Sequence, residues 1–410
     1  MAPAYIDTTW MGGVEINASP TEMQKRRDPL PPFPVASAGG SDDFVRAFAN
    51  DQRNSRVNVS LGKTRWEIAW KAELPARAPS SLLLRRGDRL LVGGSSEWYL
   101  YDVSGRYLAT GELAPGGVTI DLNRGVFYLM NAMGYLAARN LADGSLKFLM
   151  EVDYGNNFMH PFVLPYSHFL LSTGIERQRN PHGSTPQTSN LQLMDLGEHP
   201  EVDSGQILRS FRTLRTIRRK TKAIDAAANL TTLVISTDDG VYFSSTELKL
   251  QKTLSGSFEP MAMSLDEMGN VYMIAHRSHR GHALLGITPG GELFCDVELP
   301  GSFGSTIVPP IVGFDHTLYV LFADRIQALQ LDGALLWNVH AGGEIAGAVI
   351  MPDGNLLVSA GNLLLKYDHK GERTILATFP GEALCSQPLP GAGEEVFVAT
   401  EGNLYKLVGR

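Results

Sequence analysis

The sequence predicts an all-β chain folded as a single closed β-propeller of eight blades, with seven the alternative count. Three observations predict it. Short apolar runs recur about every 40 residues from Trp66 onward, the period of a four-stranded propeller unit. A tight turn carrying Gly recurs ahead of the outermost strand of several units. The last unit has too few strands, and a segment near the other end of the chain supplies the missing one.

Residues 1–64 read as an arm, with Pro29-Leu-Pro-Pro-Phe-Pro34, a Gly-Ser-Asp-Asp break and one short helical pattern at Phe44, Val45 and Phe48, capped by Ser41 or Asp42. Trp10, Ile16 and Phe33 are apolar enough to dock it on the main body. Residues 65–410 are the propeller. Its turns are Val103-Ser-Gly105, Ala142-Asp-Gly144, Pro289-Gly-Gly291, Leu331-Asp-Gly333 and His369-Lys-Gly371, where Gly meets the need for positive φ. Ahead of them stand strands such as Trp98–Asp102, Ile326–Gln330 and Leu363–Asp368, and ahead of those Arg89–Gly93, Asn270–Ile274, Thr317–Leu321 and Asn355–Ser359. Their near-continuous apolarity suits sheets covered on both faces. Units fall near 75–113, 114–152, 153–218, 222–255, 256–300, 301–341, 342–379 and 380–410. Arg65–Leu74 completes the last of them and closes the ring, which removes free sheet edges.

Composition narrows function. With 42 Gly and 23 Pro among 410 residues, one large all-β unit fits better than two compact domains. A net charge of −7 argues against a generally nucleic-acid-seeking surface. Two cysteines, Cys295 and Cys385, exclude a disulfide framework and suit a reducing compartment. The first residues show no signal-peptide pattern, and no apolar run reaches the roughly 20 residues of a membrane helix, so a cytoplasmic protein without a membrane span is expected. The sequons at Asn17, Asn58 and Asn229 are therefore set aside.

The order strand, strand, Leu331-Asp-Gly-Ala-Leu-Leu-Trp337-Asn, with Trp66 or Trp70 in the closing strand, resembles the repeat of quinoprotein-dehydrogenase-like propellers over residues 65–410. Relatives of that family include alcohol-oxidising enzymes and a non-enzymatic outer-membrane assembly lipoprotein. The oxidising members hold their quinone with adjacent cysteines and a calcium ion. This chain has no adjacent cysteines and no Asp- and Asn-rich calcium loop, so a non-quinone-binding member without a cofactor is expected.

Three segments stand out. Ala275–His282 sets His276, His279 and His282 with Arg277 and Arg280 in a connecting loop, suited to an anion or a protein contact; no neighbouring Cys or acid completes a metal site. Leu208–Lys220 repeats arginine every three positions, and a helix would gather Arg209, Arg212, Arg215 and Arg219 on one broad face; an outer strand protected by charge is the other reading. The polar insertion Glu176–Asn190 is a candidate recognition loop. A catalytic pocket would lie at the channel mouth, with Asp121, His160, Asp225, Glu259 and Cys385 as its acids, bases or nucleophile, yet they form no known motif.

The expected function is a non-catalytic scaffold for a protein partner, contacted through Arg209, Arg212, Arg215 and Arg218 and the His276–His282 segment. The alternative is a cofactor-independent or metal-assisted enzyme with a small-molecule ligand in the channel mouth, for example in a specialised biosynthetic pathway. Nucleic acid is not an expected partner.

Overall fold

The computed structural model describes residues 66–75, 83–93, 97–112, 118–121, 125–130, 135–151, 162–163, 169–176, 188–195, 207–208, 213–219, 223–228, 232–237, 240–245, 250–255, 258–266, 268–277, 281–300, 303, 307–313, 315–351, 353–391 and 394–409. Among these there is no helix, and the strands form eight sheets, antiparallel except for one strand pair. The arm, its helical pattern and His160 lie outside the described residues.

Strand β1 (Trp66–Glu73) comes first. The first sheet is β2 (Leu83–Arg86), β3 (Arg89–Gly93), β4 (Glu97–Asp102) and β5 (Tyr107–Glu112). The second is β6 (Val118–Asp121), β7 (Val126–Met130), β8 (Tyr135–Asn140) and β9 (Leu146–Glu151), and the third is β10 (Phe162–Val163), β11 (Phe169–Glu176), β12 (Thr188–Asp195) and β14 (Thr213–Arg219). Between β12 and β14, β13 (Ile207–Leu208) crosses back to add a parallel fifth strand to the second sheet. The fourth sheet is β15 (Ala223–Ala228), β16 (Thr232–Thr237), β17 (Gly240–Ser245) and β18 (Leu250–Ser255); the fifth is β19 (Phe258–Leu265), β20 (Val271–Arg277), β21 (Gly281–Ile287) and β22 (Leu293–Leu299). The sixth is β23 (Ile311–Val312), β24 (Leu318–Phe322), β25 (Arg325–Leu329) and β26 (Leu335–His340), and the seventh is β27 (Ile345–Ile350), β28 (Leu356–Ala360), β29 (Leu363–Tyr367) and β30 (Arg373–Thr378). The eighth joins β31 (Leu389–Pro390), β32 (Glu395–Ala399) and β33 (Asn403–Gly409) to β1.

The first sheet and the fourth to seventh are plain meanders, and burial follows position in the sheet. The middle strands β24 and β28 are buried at every residue, while the last strands β26 and β1 alternate with solvent. The reason is packing between sheets. Leu91, Trp98 and Leu100 of the first sheet meet Phe127 and Leu129 of the second, and Tyr272 and Ile274 of the fifth meet Leu318 and Val320 of the sixth. Tyr319 and Ile326 of the sixth meet Val358 and Leu365 of the seventh. Each such side chain taken fully from water contributes on the order of 1.5–3 kcal/mol.

The turn between third and fourth strands fixes this packing. Asp102 Oδ1 accepts the backbone N–H groups of Ser104 and Arg106, and Asp368 Oδ1 those of Lys370 and Glu372. The tightness of these Asx turns demands φ of +87° at Gly105 and +80° at Gly371. An aromatic from the previous sheet then sits on the bare glycine. Trp70 Nε1 donates to Val103 O at 3.0 Å, and Trp337 Nε1 donates to His369 O at 3.0 Å; a Cβ on Gly105 or Gly371 would stand 3.0 or 2.9 Å from the indole. Trp70 and Trp337 are thus equivalent residues of two repeats, as the resemblance implies.

The first and last described strands meet in the eighth sheet. β1 pairs antiparallel with β33, from Trp66 opposite Gly409 to Glu73 opposite Asn403. One apolar cluster unites this sheet through Phe397 and Leu404 with Val349 and Leu357 of the seventh and Leu90 and Tyr99 of the first.

Several sequence expectations change. The helical reading of the arginine stripe fails, because Thr213–Arg219 is a strand; its β-branched Thr213, Thr216 and Ile217 favour that form. Residues three apart on a strand, such as Arg215 and Arg218, do not share a face. Arg209 and Arg212 lie outside the described residues. The insertion after Glu176 is shorter than expected, since β12 already begins at Thr188.

Candidate functional site

In a meander the turn between second and third strands shares one end of the sheet with the connection to the next sheet. That end carries most of the candidate residues. Glu259 stands near the start of β19, His276 and Arg277 close β20, and His282 opens β21. The expected His-rich loop is therefore mostly hairpin, with His279 and Arg280 outside the described residues.

Register builds a polar row across this hairpin. Glu259 lies opposite His276, and His276 lies opposite His282. Directly opposed residues of antiparallel strands share a face with Cβ atoms about 4.5–5.5 Å apart. The two imidazole centroids are 5.2 Å apart, and His282 meets the edge of Phe303 at 4.8 Å. Phe303 in turn touches Phe322 of the sixth sheet. Beside the row, Arg277 Nη2 donates to Asp296 Oδ2 at 2.8 Å. Sequence reasoning missed the acid beside these histidines because Glu259 arrives from the preceding strand. Among the described residues, however, no group of three or more His, Cys, Asp or Glu is placed to hold a metal ion.

The channel-mouth candidates do not all stand at the same end of their inner strands. Asp121 is the last residue of β6, whereas Asp225 and Glu259 lie near the starts of β15 and β19, at the other end of their inner strands. Cys385 precedes β31; its thiol donates to Ala399 O at 3.5 Å and its backbone N–H to the same oxygen at 2.9 Å. Cys295 is buried on the outer strand β22, where burial pushes its thiol up to about 11.

Two carboxylates that the sequence did not single out are heavily engaged. Glu382, in the link from β30 to β31, accepts from Lys71 Nζ at 3.1 Å and Tyr405 Oη at 2.7 Å on one oxygen. On the other it accepts from Thr400 Oγ1 at 2.7 Å and Asn403 Nδ2 at 2.9 Å. Burial pushes its carboxyl up, but the four hydrogen bonds outweigh that and hold it at about 2. Asp266, in the turn between β19 and β20, is buried and accepts from Asn270 Nδ2 at 2.7 Å and from the backbone N–H groups of Met268 and Asn270 at 2.9 Å each. There burial wins and the carboxyl rises above the usual range. Both carboxylates are consumed by structural bonds. The signal for Asp266 was present as Asp266-Glu-Met-Gly-Asn270 just before a strand; Glu382 gave none, because its partners come from both ends of the chain.

No protein-family model and no curated protein sequence matches this chain. Solved structures do match it. BamB from Moraxella catarrhalis aligns with a TM-score of 0.58 at 13% identity, over 84% of this chain and 99% of that one. Quinohemoprotein alcohol dehydrogenase from Comamonas testosteroni aligns with a TM-score of 0.61 at 11% identity, over 88% and 79%. Sqt1 of Saccharomyces cerevisiae aligns with a TM-score of 0.59 at 12% identity, over 83% and 98%. The fold is that of a β-propeller. In this propeller the two thiols stand in different sheets, Cys295 in the fifth and Cys385 at the threshold of the eighth. Among the described residues no helix is long and apolar enough to cross a membrane.

Proposed function

We propose that the chain is a non-catalytic propeller scaffold, its eight sheets closed into a ring by β1, which binds a protein partner through the hairpin end of the fifth sheet. The observation that carries this reading is the row Glu259, His276 and His282, backed by Phe303 and flanked by Arg277 and Asp296. It offers charge of both signs and aromatic area on a hairpin held by full strand pairing, which suits recognition by a preorganised surface. Among the described residues the perturbed carboxylates Glu382 and Asp266 are tied up by hydrogen bonds within the fold, which removes them as free acids or bases. The insertion between β11 and β12 emerges at the same end of its own sheet and would widen the contact. Two thiols far apart favour a reducing compartment such as the cytoplasm.

The test is purification of the tagged protein from its native cell beside the variant His276→Ser, Arg277→Ser, His282→Ser. A stoichiometric protein retained by the wild type and lost from the folded variant supports the reading. Equal recovery of the same partner by both moves the contact elsewhere, and turnover of a small molecule by the wild type overturns the non-catalytic assignment.

A further inference from the structure

Five sheets leave a large apolar or aromatic residue in water at the same structural position. In each outermost strand the register slips by one residue, and the residue on the turn side of the slip is Leu293 opposite Ile287, Leu335 opposite Leu329, Ile375 opposite Leu365, Ile68 opposite Leu407 and Tyr107 opposite Tyr101. Their exposures are 47%, 58%, 50%, 49% and 45%. Single exposed apolar residues are ordinary. Five in register, on the fifth to eighth sheets and then the first, form a series, because these sheets pack in that order.

Ile68 is flanked by Ile375 on one side and Tyr107 on the other, and it lies two residues inside the start of β1. Residues 1–65 therefore join the described structure beside Ile68, between Ile375 and Tyr107. Just ahead runs Arg56-Val-Asn-Val-Ser-Leu61, where Val57, Val59 and Leu61 alternate with polar residues as a one-faced strand would require. Stacked sheets lie about 10 Å apart, and a chain spans about 3.3 Å per residue, so the few residues between Leu61 and Trp66 reach either neighbour of Ile68. Charge agrees: residues 46–65 hold Arg46, Arg53, Arg56, Lys63 and Arg65 against the single acid Asp51, facing a net acidic protein.

We infer that the segment Arg56–Leu61 docks against the outer rim, seating Val57, Val59 and Leu61 on Ile68 and its neighbours Ile375 and Tyr107. Tethering makes the contact intramolecular, with an effective concentration on the order of millimolar, so modest apolar burial suffices.

Limited trypsin digestion of the full chain tests this at Arg56 and Lys63. The surface variant Ile68→Ser, Ile375→Ser, Tyr107→Ser and the segment variant Val57→Ser, Val59→Ser, Leu61→Ser should each speed cleavage there about tenfold, since cleavage tracks the open population, and the combined variant no further. Wild type cut as fast as either variant would overturn the inference and leave the rim open to a partner. Unchanged cleavage in the surface variant with loss of a wild-type dimer in sedimentation would overturn it in favour of a second copy. Amide exchange at Val57–Leu61 in the wild type gives an answer that needs no variant: protection is expected, and exchange at the open-chain rate refutes docking.

Discussion

Lys71 and Glu382 stand 311 positions apart in the chain, yet the ammonium donates to the carboxylate at 3.1 Å. With Tyr405, Thr400 and Asn403 on the same carboxylate, Glu382 pins β1 and β33 to the link that delivers the chain into β31.

Glu382→Gln should therefore cost roughly 1–3 kcal/mol at pH 7, the value of hydrogen bonds to a charged group less what the amide retains. The folded carboxyl titrates at about 2, below its ordinary 4.5. A depressed carboxyl contributes stability that is complete above pH 4.5 and fades as pH falls toward 2. The gap between wild type and variant in urea midpoints should accordingly narrow from pH 6 to pH 3. A gap that stays constant would show that the charge has no part in it.

Trp337 and Gly371 make a second test. Trp337→Ala should cost roughly 2–4 kcal/mol, a little below a fully buried aromatic because the indole is half-buried. Gly371→Ala should cost more than the roughly 1–2 kcal/mol of a left-handed alanine, since its Cβ would also press on the indole at 2.9 Å. In the double variant the clash disappears and only the backbone strain remains, so the two losses should sum to less than additive. Additive losses in a thermal-unfolding cycle would mean that the aromatic does not rest on the glycine.

Asp266 has the opposite sign to Glu382. Burial raises its folded carboxyl, so the native state binds that proton more tightly than the unfolded chain, and stability declines as pH rises through the raised value. Asp266→Asn should flatten this decline. The amide oxygen of Asn270 is buried without a partner in the structure and could accept from the new amide after a flip, so the cost of the substitution should stay below about 1 kcal/mol. Denaturant midpoints at pH 4 and pH 7 measure both. A variant that keeps the full pH dependence would assign it to another group.

Much of the fold was legible because its determinants are local. The turns Val103-Ser-Gly105 and His369-Lys-Gly371 announce themselves through the glycine that their positive φ requires, and runs such as Leu318–Phe322 announce burial on both faces. The link from Arg65–Leu74 to the C-terminal strands was also legible, because Asn403–Val408 visibly lacked a neighbour. The arginine stripe misled because a three-residue period fits both a helix and a charged strand, and the β-branched residues between the arginines decided it. The candidate site was the least legible part. Glu259, His276 and His282 meet only through the register of three strands, a bulge at Pro260 and Ala262 included, and no local pattern encodes that register.

Everything rests on the pairing of the first described strand with the last. Amide hydrogen exchange of the intact protein, read residue by residue over Trp66–Glu73 and Asn403–Gly409, tests it most directly. The expected result is that the paired amides of both strands exchange together at the slow, global rate of the core. Exchange of Trp66–Glu73 at the open-chain rate, while Asn403–Gly409 stays protected through β32 alone, would contradict the pairing and with it the proposed closed scaffold.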